Sequence, residues 1–463
     1  MVAVYFLTLA ALVAVSFFIG RSKAISVGRG DYAQMHSLPT YHGLLLSAMV
    51  FAPMILIFAI GTPLVGTIAT SSALSQLPIE IQSDAVGRAT ALRDVTNLAA
   101  GQRIGEGSPY VRDAAETYKY ITVLGGWSVY ALGVAAAMLA ILIGLGRISM
   151  TYRARNRFET FVKVVLMASA AVAVLTTIGI LFSVSFETFR FFFDPSLKGR
   201  PTVTEFLFGT EWNPQAALRA DQGDIRTAFG FVPLLTGTIL ITSIAMLVAG
   251  PLGLFSAIYL SEYATPRLRS LAKPILEILA GIPTVVLGFF AALTVAPLIR
   301  GWGQHFGLDV ASESALAAGL VMGMMIIPFI SSLSDDVINA VPQSLRDGAY
   351  AMGATKSETI RQVVLPAALP GIVSAFMLAI SRAVGETMIV VMAAGLAANL
   401  TFNPLEAVTT ITVQIKTILV GDQEFDSAKT LAAFALGFVL FFVTLMLNVI
   451  ALKIVRRYRE QYD

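Results

Sequence analysis

Arg382 and Glu386 interrupt one of the most apolar stretches of the chain, and they are the residues there that could do chemistry. Arg382 lies eleven residues after Gly371, about 16 Å along a helix and therefore near the middle of a bilayer. A charge at that depth costs about 2.5 to 3.5 kcal/mol, so it normally faces a polar pathway or a partner. We predict that Arg382 faces a substrate pathway. A purely structural pair is the alternative, because Glu386 follows at i+4 on the same helical face.

The residue types favour an anionic substrate. A guanidinium group stays charged and presents a planar fork of donors that matches a tetrahedral oxyanion such as phosphate or sulfate. Glu386 could orient Arg382, and it could also select an oxyanion that still carries a proton to donate. Phosphate carries such a proton at neutral pH and sulfate does not.

The elements that must position these residues are membrane helices. The 463 residues are 56% hydrophobic and 13% charged, with a mean hydropathy of +0.76, far from the composition of a soluble domain. The chain has no cysteine, which excludes thiol and iron–sulfur chemistry. It has only three histidines, which leave few ligands for a zinc site. The net charge of +3 fits basic membrane loops better than nucleic-acid binding. We predict an all-α integral membrane protein whose nine spans are residues 2–20, 43–70, 126–146, 160–183, 232–260, 275–299, 314–332, 371–396 and 431–453.

The distribution of basic residues predicts the orientation of these spans. Residues 147–163 carry five Lys or Arg and would be cytoplasmic, which places the N-terminus outside, as a retained helix, and the C-terminus in the cytoplasm. Residues 71–125 are then a long extracytoplasmic loop within an N-terminal extension, 1–150, that precedes a transport domain, 151–463. The apolar stretch 408–415 is too short to span, and it could either dip into the outer leaflet or form an amphipathic surface helix.

A further segment, residues 335–370, is patterned as two short helices hinged at Gly353 and ended by a break at Leu365-Pro366. A glycine hinge allows a tight turn that could dock into a partner's groove, although an ordinary linker is the alternative. Gly348 and Gly353 have the spacing of a phosphate-binding loop, but Ala354 stands where that loop needs lysine. We therefore predict no ATPase site in this chain, and any ATP-driven function would need a partner.

This segment resembles the coupling loop of ATP-binding cassette (ABC) importer permeases. The pattern is Glu-Ala-Ala, three residues, Gly, nine residues, Ile, one residue and Leu-Pro. The matching positions here are Asp347, Gly348, Ala349, Gly353, Val363, Leu365 and Pro366. The resemblance implies a six-helix permease core and a loop that sits in a cleft of a separate ATPase subunit.

The stretch Ser381–Met388 is similar to the Arg-x-x-Gly-Glu-Thr signature of phosphate importer permeases, and residues 205–214, 251–263 and 273–290 resemble the same family. The chain is thereby identified as a member of the C-type permease subunits of Pst phosphate systems, with Arg382, Glu386 and Thr387 on the substrate pathway.

That resemblance also implies the surroundings of the chain. They are a homologous second permease subunit, two ABC ATPase subunits that use ATP and magnesium, an extracytoplasmic phosphate-binding protein and the bacterial inner membrane. The chain itself would bind no cofactor and would not be an enzyme. A permease for sulfate or molybdate, or a secondary anion carrier in which Glu386 relays protons, is the alternative.

Four further features carry expectations of their own. Gly281 and Pro283 break a predicted span and could form a gate, or they could be a simple proline kink. Gly319 and Gly323 permit close helix packing, and Lys273 and Glu277 are spaced as an i,i+4 pair. The first 150 residues carry no signature, and we favour a stabilising or peripheral packing role over a second transport site.

Overall fold

The computed structural model describes residues 2–28, 35–101, 109–197, 199–214, 228–420 and 427–458. Its regular elements within these ranges are helices, together with one isolated antiparallel bridge between Trp212 and Phe229. Among the described residues, nine helices are long and apolar enough to cross a membrane. The predicted all-α membrane fold and its number of spans are confirmed.

The chain divides into two compact units, Met1–Leu175 and Thr176–Asp463, whereas the sequence predicts a boundary at residue 150. The helices that begin in the N-terminal unit are α1 Val2–Gly28, α2 Pro39–Leu74, α3 Ile79–Ser83, α4 Ala85–Ala99, α5 Pro109–Arg147 and α6 Ala154–Phe193. The last of these continues across the boundary into the C-terminal unit.

The N-terminal unit is held by helices that approach closely. Both α1 and α5 pack on α2, and the Tyr5 hydroxyl of α1 donates a hydrogen bond of 2.8 Å to the Met54 carbonyl of α2. A side chain at Gly133 of α5 would overlap Tyr5. Small residues at such contacts let helix backbones approach within a membrane.

Most of the predicted extracytoplasmic loop, 71–125, is helical, and its extracytoplasmic placement stays a prediction. The helix α2 continues to Leu74, α3 and α4 follow, and α5 already begins at Pro109. Apolar residues four apart, such as Ala91 and Val95 on α4 and Val111 and Ala115 on α5, share a small buried core. This stripe has the helical period, but its small, mixed side chains give it no strong hydropathy signal.

The C-terminal unit contains the remaining helices and three π-helical turns. The helices are α7 Val203–Phe208, α8 Val232–Ile258, α9 Pro266–Ala280, α10 Thr284–Phe290, α11 Ala296–His305, α12 Ala315–Asn339, α13 Gln343–Ala351, α14 Lys356–Thr359, α15 Leu365–Val384, α16 Met388–Ala393, α17 Ile411–Leu419 and α18 Ala428–Tyr458. The π-helical turns are Tyr259–Tyr263, Ala291–Val295 and Ile360–Val364.

The packing of α12 on α8 forms the centre of this unit. A Cβ atom added at Gly319 would lie 2.6 Å from Ile244 Cγ2, and one at Gly323 would lie 3.0 Å from the Ala245 carbonyl oxygen. The close approach predicted from the two glycines is confirmed.

Two of the predicted spans are interrupted in the structure. The predicted span 275–299 is divided at Gly281–Pro283, so that α9 is separate and the membrane-length helical segment is Thr284–His305. The predicted span 371–396 is instead Lys356–Val384, because α15 ends before Gly385 and the apolar residues of α16 form a separate short helix.

The expected break at Leu365-Pro366 is also wrong. The turn Ile360–Val364 is π-helical, so the Leu365 N–H bonds to the Ile360 carbonyl and α15 begins directly. Pro366 then occupies the first turn of α15, where a missing N–H costs little. Only one separate short helix, α13, therefore precedes Gly353, and the chain after Gly353 runs into a long span.

The apolar stretch 408–415 is buried within the protein. Val408, Ile411 and Val413 are fully buried, and the Trp212 indole donates a hydrogen bond of 2.9 Å to Gln414 Oε1. The alternative of an amphipathic surface helix is therefore wrong. Polar side chains in this segment find their partners inside the protein.

Candidate functional site

Arg382 lies on the last turn of α15 and is exposed. Its guanidinium carbon lies 5.9 Å from the ring centroid of Phe329 on α12. Phe329 is the fifteenth of the 25 residues of α12, about 21 Å along the helix axis from Ala315. Within the described ranges, the Arg382 side chain makes no hydrogen bond or ion pair. A charged, unpaired fork of donors therefore lies near the mid-height of α12.

Glu386 follows the end of α15, so it does not share a helical face with Arg382 as the i+4 spacing predicts. The helix ends at Val384 with Gly385 as its C-cap. The Glu386 carboxylate turns to the next element, where its Oε1 accepts hydrogen bonds from the N–H groups of Met388 at 3.0 Å and Ile389 at 3.4 Å. In the part of the chain that the structure describes, no ion pair joins Glu386 to Arg382. The structural-pair alternative loses its geometric basis, and the substrate role of both residues stays a prediction.

Two other elements hold the segment around Glu386. Thr412, which lies in α17, donates a hydrogen bond of 2.9 Å from its hydroxyl to the Glu386 carbonyl. Thr387, the third predicted pathway residue, is the N-cap of α16 and makes no side-chain capping bond. The helix α16 also packs against α10, where a Cβ atom at Gly288 would lie 2.7 Å from Met392 Sδ.

The residues of the predicted gate lie just before α10. Gly281 is the C-cap of α9 and Pro283 is the N-cap of α10. They therefore join an amphipathic helix without buried residues to a helix that packs on α16. Their gating role stays a prediction.

A cavity of about 210 Å³ lies on α12 beside Phe329. It is lined by Phe329, Ser331, Ser332 and Asp335 of α12, by Lys273, Leu276, Glu277 and Ala280 of α9, and by Leu260 and Pro328. Phe329 thus contacts Arg382 and also lines a largely apolar cavity that extends toward Asp335 near the end of α12.

Two of the residues that line this cavity, Lys273 and Asp335, belong to a network of charges. Asp335 is 2% exposed and accepts hydrogen bonds from Arg269 Nη2 and Lys273 Nζ, both at 2.9 Å. Lys273 also pairs with Asp336 at 3.2 Å. Lys273 therefore bonds to α12 and not to Glu277, so the predicted i,i+4 pair is wrong. The hydrogen bond to Asp335 raises the pKa of Lys273 above its usual value.

The sequence reasoning missed this network, although two signals were available. Asp335 and Asp336 end a long apolar span, and Arg269 and Lys273 lie four residues apart on one face of an earlier amphipathic helix, α9. Opposite charges at two neighbouring helix ends are candidates for pairing.

The residues of the predicted coupling loop divide between an exposed tip and a buried base. Asp347 and Gly348 are exposed, Met352 is 89% exposed, and Gly353 adopts a φ of +88°. This left-handed conformation favours glycine. Ala349 is buried and Val363 and Leu365 are half-buried, whereas Pro366 is exposed. The predicted hinge at Gly353 is therefore a tight turn at the tip of an exposed protrusion.

Arg346 fixes the base of this loop, and the sequence reasoning missed it. Its Nη1 donates to Glu262 Oε1, and its Nη2 donates a hydrogen bond of 2.8 Å to the Ile338 carbonyl. The Arg346 and Glu262 side chains are 11% and 7% exposed. Arg346 precedes the motif residue Asp347, and Glu262 lies in a stretch noted for its family resemblance, but nothing in their spacing joins them.

Comparisons with known proteins find membrane components of transport systems. Residues 249–460 match the family described as "Binding-protein-dependent transport system inner membrane component", and residues 6–176 match "Phosphate ATP-binding cassette transporter". The "Probable ABC transporter permease protein YqgH" of Bacillus subtilis is 32% identical over 286 residues, which are 62% of this chain and 85% of that protein. The "Phosphate transport system permease protein PstC 1" of Mycobacterium tuberculosis is 32% identical over 281 residues, 54% of this chain and 81% of that protein. A solved bacterial alginate ABC transporter is 14% identical with a TM-score of 0.46, over 66% of this chain and 97% of that one.

The helical fold, the exposed loop and the family matches define a multi-pass membrane permease of the ABC transport class. Within that class, the chain belongs to the family of PstC-type phosphate transport permeases. The match over residues 6–176 also assigns to a phosphate transporter family the N-terminal region that carries no signature in the sequence reasoning.

Proposed function

We propose that this chain is the membrane permease subunit through which an ATP-driven importer moves inorganic phosphate. The observation that carries the proposal is Arg382, an exposed guanidinium near the mid-height of α12 with no ion-pair partner among the described residues. A cation at such a position needs an anion or a polar pathway. The bidentate geometry of guanidinium suits a phosphate oxyanion.

Glu386 supplies the selectivity for phosphate. Its Oε1 is occupied by two backbone N–H groups, whereas its Oε2 has no hydrogen bond among the residues that the structure describes. A carboxylate oxygen in that state accepts the proton of hydrogen phosphate and repels a fully ionised sulfate. Arg382 therefore provides the attraction to an oxyanion, and Glu386 provides the discrimination between oxyanions.

The energy comes from partner subunits. This chain binds no cofactor, and two ABC ATPase subunits bind ATP and magnesium and receive the loop around Gly353 in their clefts. The exposure of Asp347, Gly348 and Met352 supports such docking. A homologous second permease subunit completes the pathway, and an extracytoplasmic phosphate-binding protein delivers the substrate.

The complex works by alternating access in the bacterial inner membrane. The basic segment 147–163 and the loop around Gly353 lie in the cytoplasm, with the N-terminus outside and the C-terminus inside. Gly281 and Pro283 join α9 to α10, which packs on α16 beside Glu386. A change at this joint therefore alters the surroundings of the pathway, which is the action of a gate.

The test is uptake of labelled phosphate and, separately, labelled sulfate by proteoliposomes that contain the whole complex. We expect ATP-dependent phosphate uptake that falls roughly 10- to 100-fold in Arg382→Gln, because a charge-assisted hydrogen bond contributes about 1.5 to 3 kcal/mol. Arg157→Gln, which removes an exposed arginine of α6, is the control and should keep wild-type uptake.

Other outcomes contradict specific parts of the proposal. Unchanged phosphate uptake in Arg382→Gln, with the ATPase subunits still bound, removes Arg382 from the pathway. Transport of sulfate in place of phosphate refutes the substrate, and uptake that does not need ATP indicates a secondary carrier.

A further inference from the structure

The loop around Gly353, which we call the docking loop, is attached to one end of α8 at two points. On the N-terminal side of Gly353, Arg346 of α13 is bonded to Glu262 in the π-helical turn Tyr259–Tyr263, which continues directly from α8. On the C-terminal side of Gly353, Lys356 Nζ lies 4.9 Å from the ring centroid of Tyr263 in the same turn. Both limbs of the loop are therefore attached to the C-terminal end of one helix.

The Arg346–Glu262 contact is the firmer of these two attachments. The side chains are 11% and 7% exposed, and separating them would leave a charge without its partner in a poorly solvated place. Breaking such a pair costs far more than breaking an exposed one. The loop and the end of α8 must therefore move together.

The other end of α8 lies against the segment that holds Glu386. Thr238 Oγ1 accepts a hydrogen bond of 3.2 Å from the Ile411 N–H. A side chain on the neighbouring Gly237 would overlap the Thr409 carbonyl oxygen, so only glycine allows this approach. One residue beyond Ile411, the Thr412 hydroxyl donates to the Glu386 carbonyl.

Between these two ends α8 is one helix of 27 residues that remains continuous through Pro251, about 40 Å long. We infer that α8 transmits movement of the docking loop to the segment that contains Glu386. At one end of α8 the contact is Arg346–Glu262. At the other end the contacts are Thr238–Ile411 and, one residue further, Thr412–Glu386. This inference rests on the proposed function. It makes Arg346 and Thr412 positioning residues, since neither lies among the groups proposed to touch phosphate.

The test measures ATP hydrolysed per phosphate transported by the reconstituted complex. Arg346→Met removes the first contact. We expect phosphate uptake to fall about tenfold while ATP hydrolysis falls less than about twofold, because docking remains and only the transmission is lost. Arg267→Met, an exposed arginine on α9 outside the loop, is the matched control and should keep the wild-type ratio.

A second measurement asks whether the two ends of α8 act on one path. Thr412→Val removes the donor to Glu386 and keeps the side-chain volume, and we expect it also to raise the ratio of ATP to phosphate. If both contacts serve one path, the double variant Arg346→Met with Thr412→Val should be no worse than the more affected single variant. Independent effects would instead multiply.

A charge-reversed double variant tests the inference even if Arg346→Met does not fold or assemble. If Arg346→Met fails to assemble with the ATPase subunits, the double variant Arg346→Glu with Glu262→Arg restores an ion pair and should assemble with a ratio closer to wild type than either of its single variants. An unchanged ratio in assembled Arg346→Met, multiplying effects of the two variants, or a reversal no better than its single variants each overturns the inference. A wild-type complex that transports no phosphate with ATP refutes the proposed function itself, so the two failures are distinguishable.

Discussion

Glu386 has a structural role at the start of α16, and we propose a chemical role for the same carboxylate. Its Oε1 accepts the N–H groups of Met388 and Ile389 at the start of α16, where a helix leaves backbone donors without internal partners. A negative charge is favourable at this end of a helix. In our proposal the other oxygen, Oε2, accepts a hydrogen bond from the proton of hydrogen phosphate. Because different oxygens serve the two roles, substitutions can separate them.

We predict that Glu386→Gln keeps the structural role and loses the chemical one. The glutamine oxygen still accepts backbone N–H groups, but it carries no charge for the proton of hydrogen phosphate. The apparent KM for phosphate should rise about tenfold, with little change in the thermal unfolding midpoint. Uptake at a series of phosphate concentrations and a thermal melt of the purified chain provide the measurements.

Glu386→Ala is the comparison for this variant. It should lose the same uptake and in addition lower the stability by about 1 kcal/mol, because the acceptor at the start of α16 is gone. If the glutamine variant transports normally, or if both variants unfold equally early, the division of roles between the two oxygens is wrong.

The sequence indicated that Arg382 and Glu386 are candidates for function, but it did not predict how the two side chains are arranged. An arginine and a glutamate in an apolar stretch indicate a functional site wherever the helix ends, because their cost in a membrane is high. Their shared face depended on an unbroken helix, and Gly385 ends that helix after Val384. Arg346 and Glu262 could not be paired from the sequence, because 84 residues separate them.

At the scale of elements, the ion pairs of Asp335 fasten α9 to the end of α12. Asp335 is 2% exposed, its partners Arg269 and Lys273 are each 33% exposed, and the neighbouring Asp336 is 63% exposed. Removing the charge of a buried carboxylate that has two cationic partners costs much more folding stability than removing the charge of an exposed carboxylate. The two adjacent aspartates therefore form a matched pair for substitution.

We predict that Asp335→Asn destabilises the protein by about 2 kcal/mol, a value reduced from the buried-pair range because water reaches the two cations. Asp336→Asn should change the stability by less than about 0.5 kcal/mol. Lys273 has a raised pKa in the folded protein. Its stabilising contribution is therefore complete at lower pH and is lost only as the pH rises through that raised value.

The difference between the two variants should accordingly stay constant from about pH 6 to pH 9. Thermal melts of both purified variants across that range measure it. Equal stability of the two variants would show that the Asp335 network does not hold α9 in place.

Helix existence was predictable, and several helix ends were not. Runs of about 20 apolar residues report membrane spans directly, which explains the agreement in their number. The predicted helix ends were wrong where the local backbone geometry, and not the hydropathy, decides where a helix stops. The π-helical turn Ile360–Val364 carries the helix past Pro366, and Gly281–Pro283 detaches α9 from an apolar run that continues into α10.

At the scale of the whole molecule, the family match over residues 6–176 and the compact unit Met1–Leu175 cover nearly the same residues. The sequence reasoning gave this region only a packing role, because its helices present apolar and small residues without a charged motif. Apolar helices of this kind indicate a membrane fold, but they do not identify a substrate. Arg382 and Glu386, the residues proposed to recognise phosphate, lie in the C-terminal unit, whereas the N-terminal unit is linked to phosphate transport by its family match.

The basic residues of the chain predict its orientation in the membrane, and its composition makes that orientation simple to test. The chain contains no cysteine, so a single introduced cysteine reports its own position without background. Ser149 precedes α6 and Ser196 follows it, and both are exposed. Because the basic residues of 147–163 favour the cytoplasm, a membrane-impermeant maleimide should label Ser196→Cys in intact spheroplasts and label Ser149→Cys only after the membrane is opened.

The two reporters control each other, since one span separates them. Labelling of both in intact cells would mean that α6 does not cross the membrane. The reverse pattern would invert the chain and, with the alternating order of the spans, place the loop around Gly353 outside the cell, where no ATPase subunit could engage Met352. That result would refute ATP-driven import through this loop, because coupling requires the exposed tip and the nucleotide to be on the same side of the membrane.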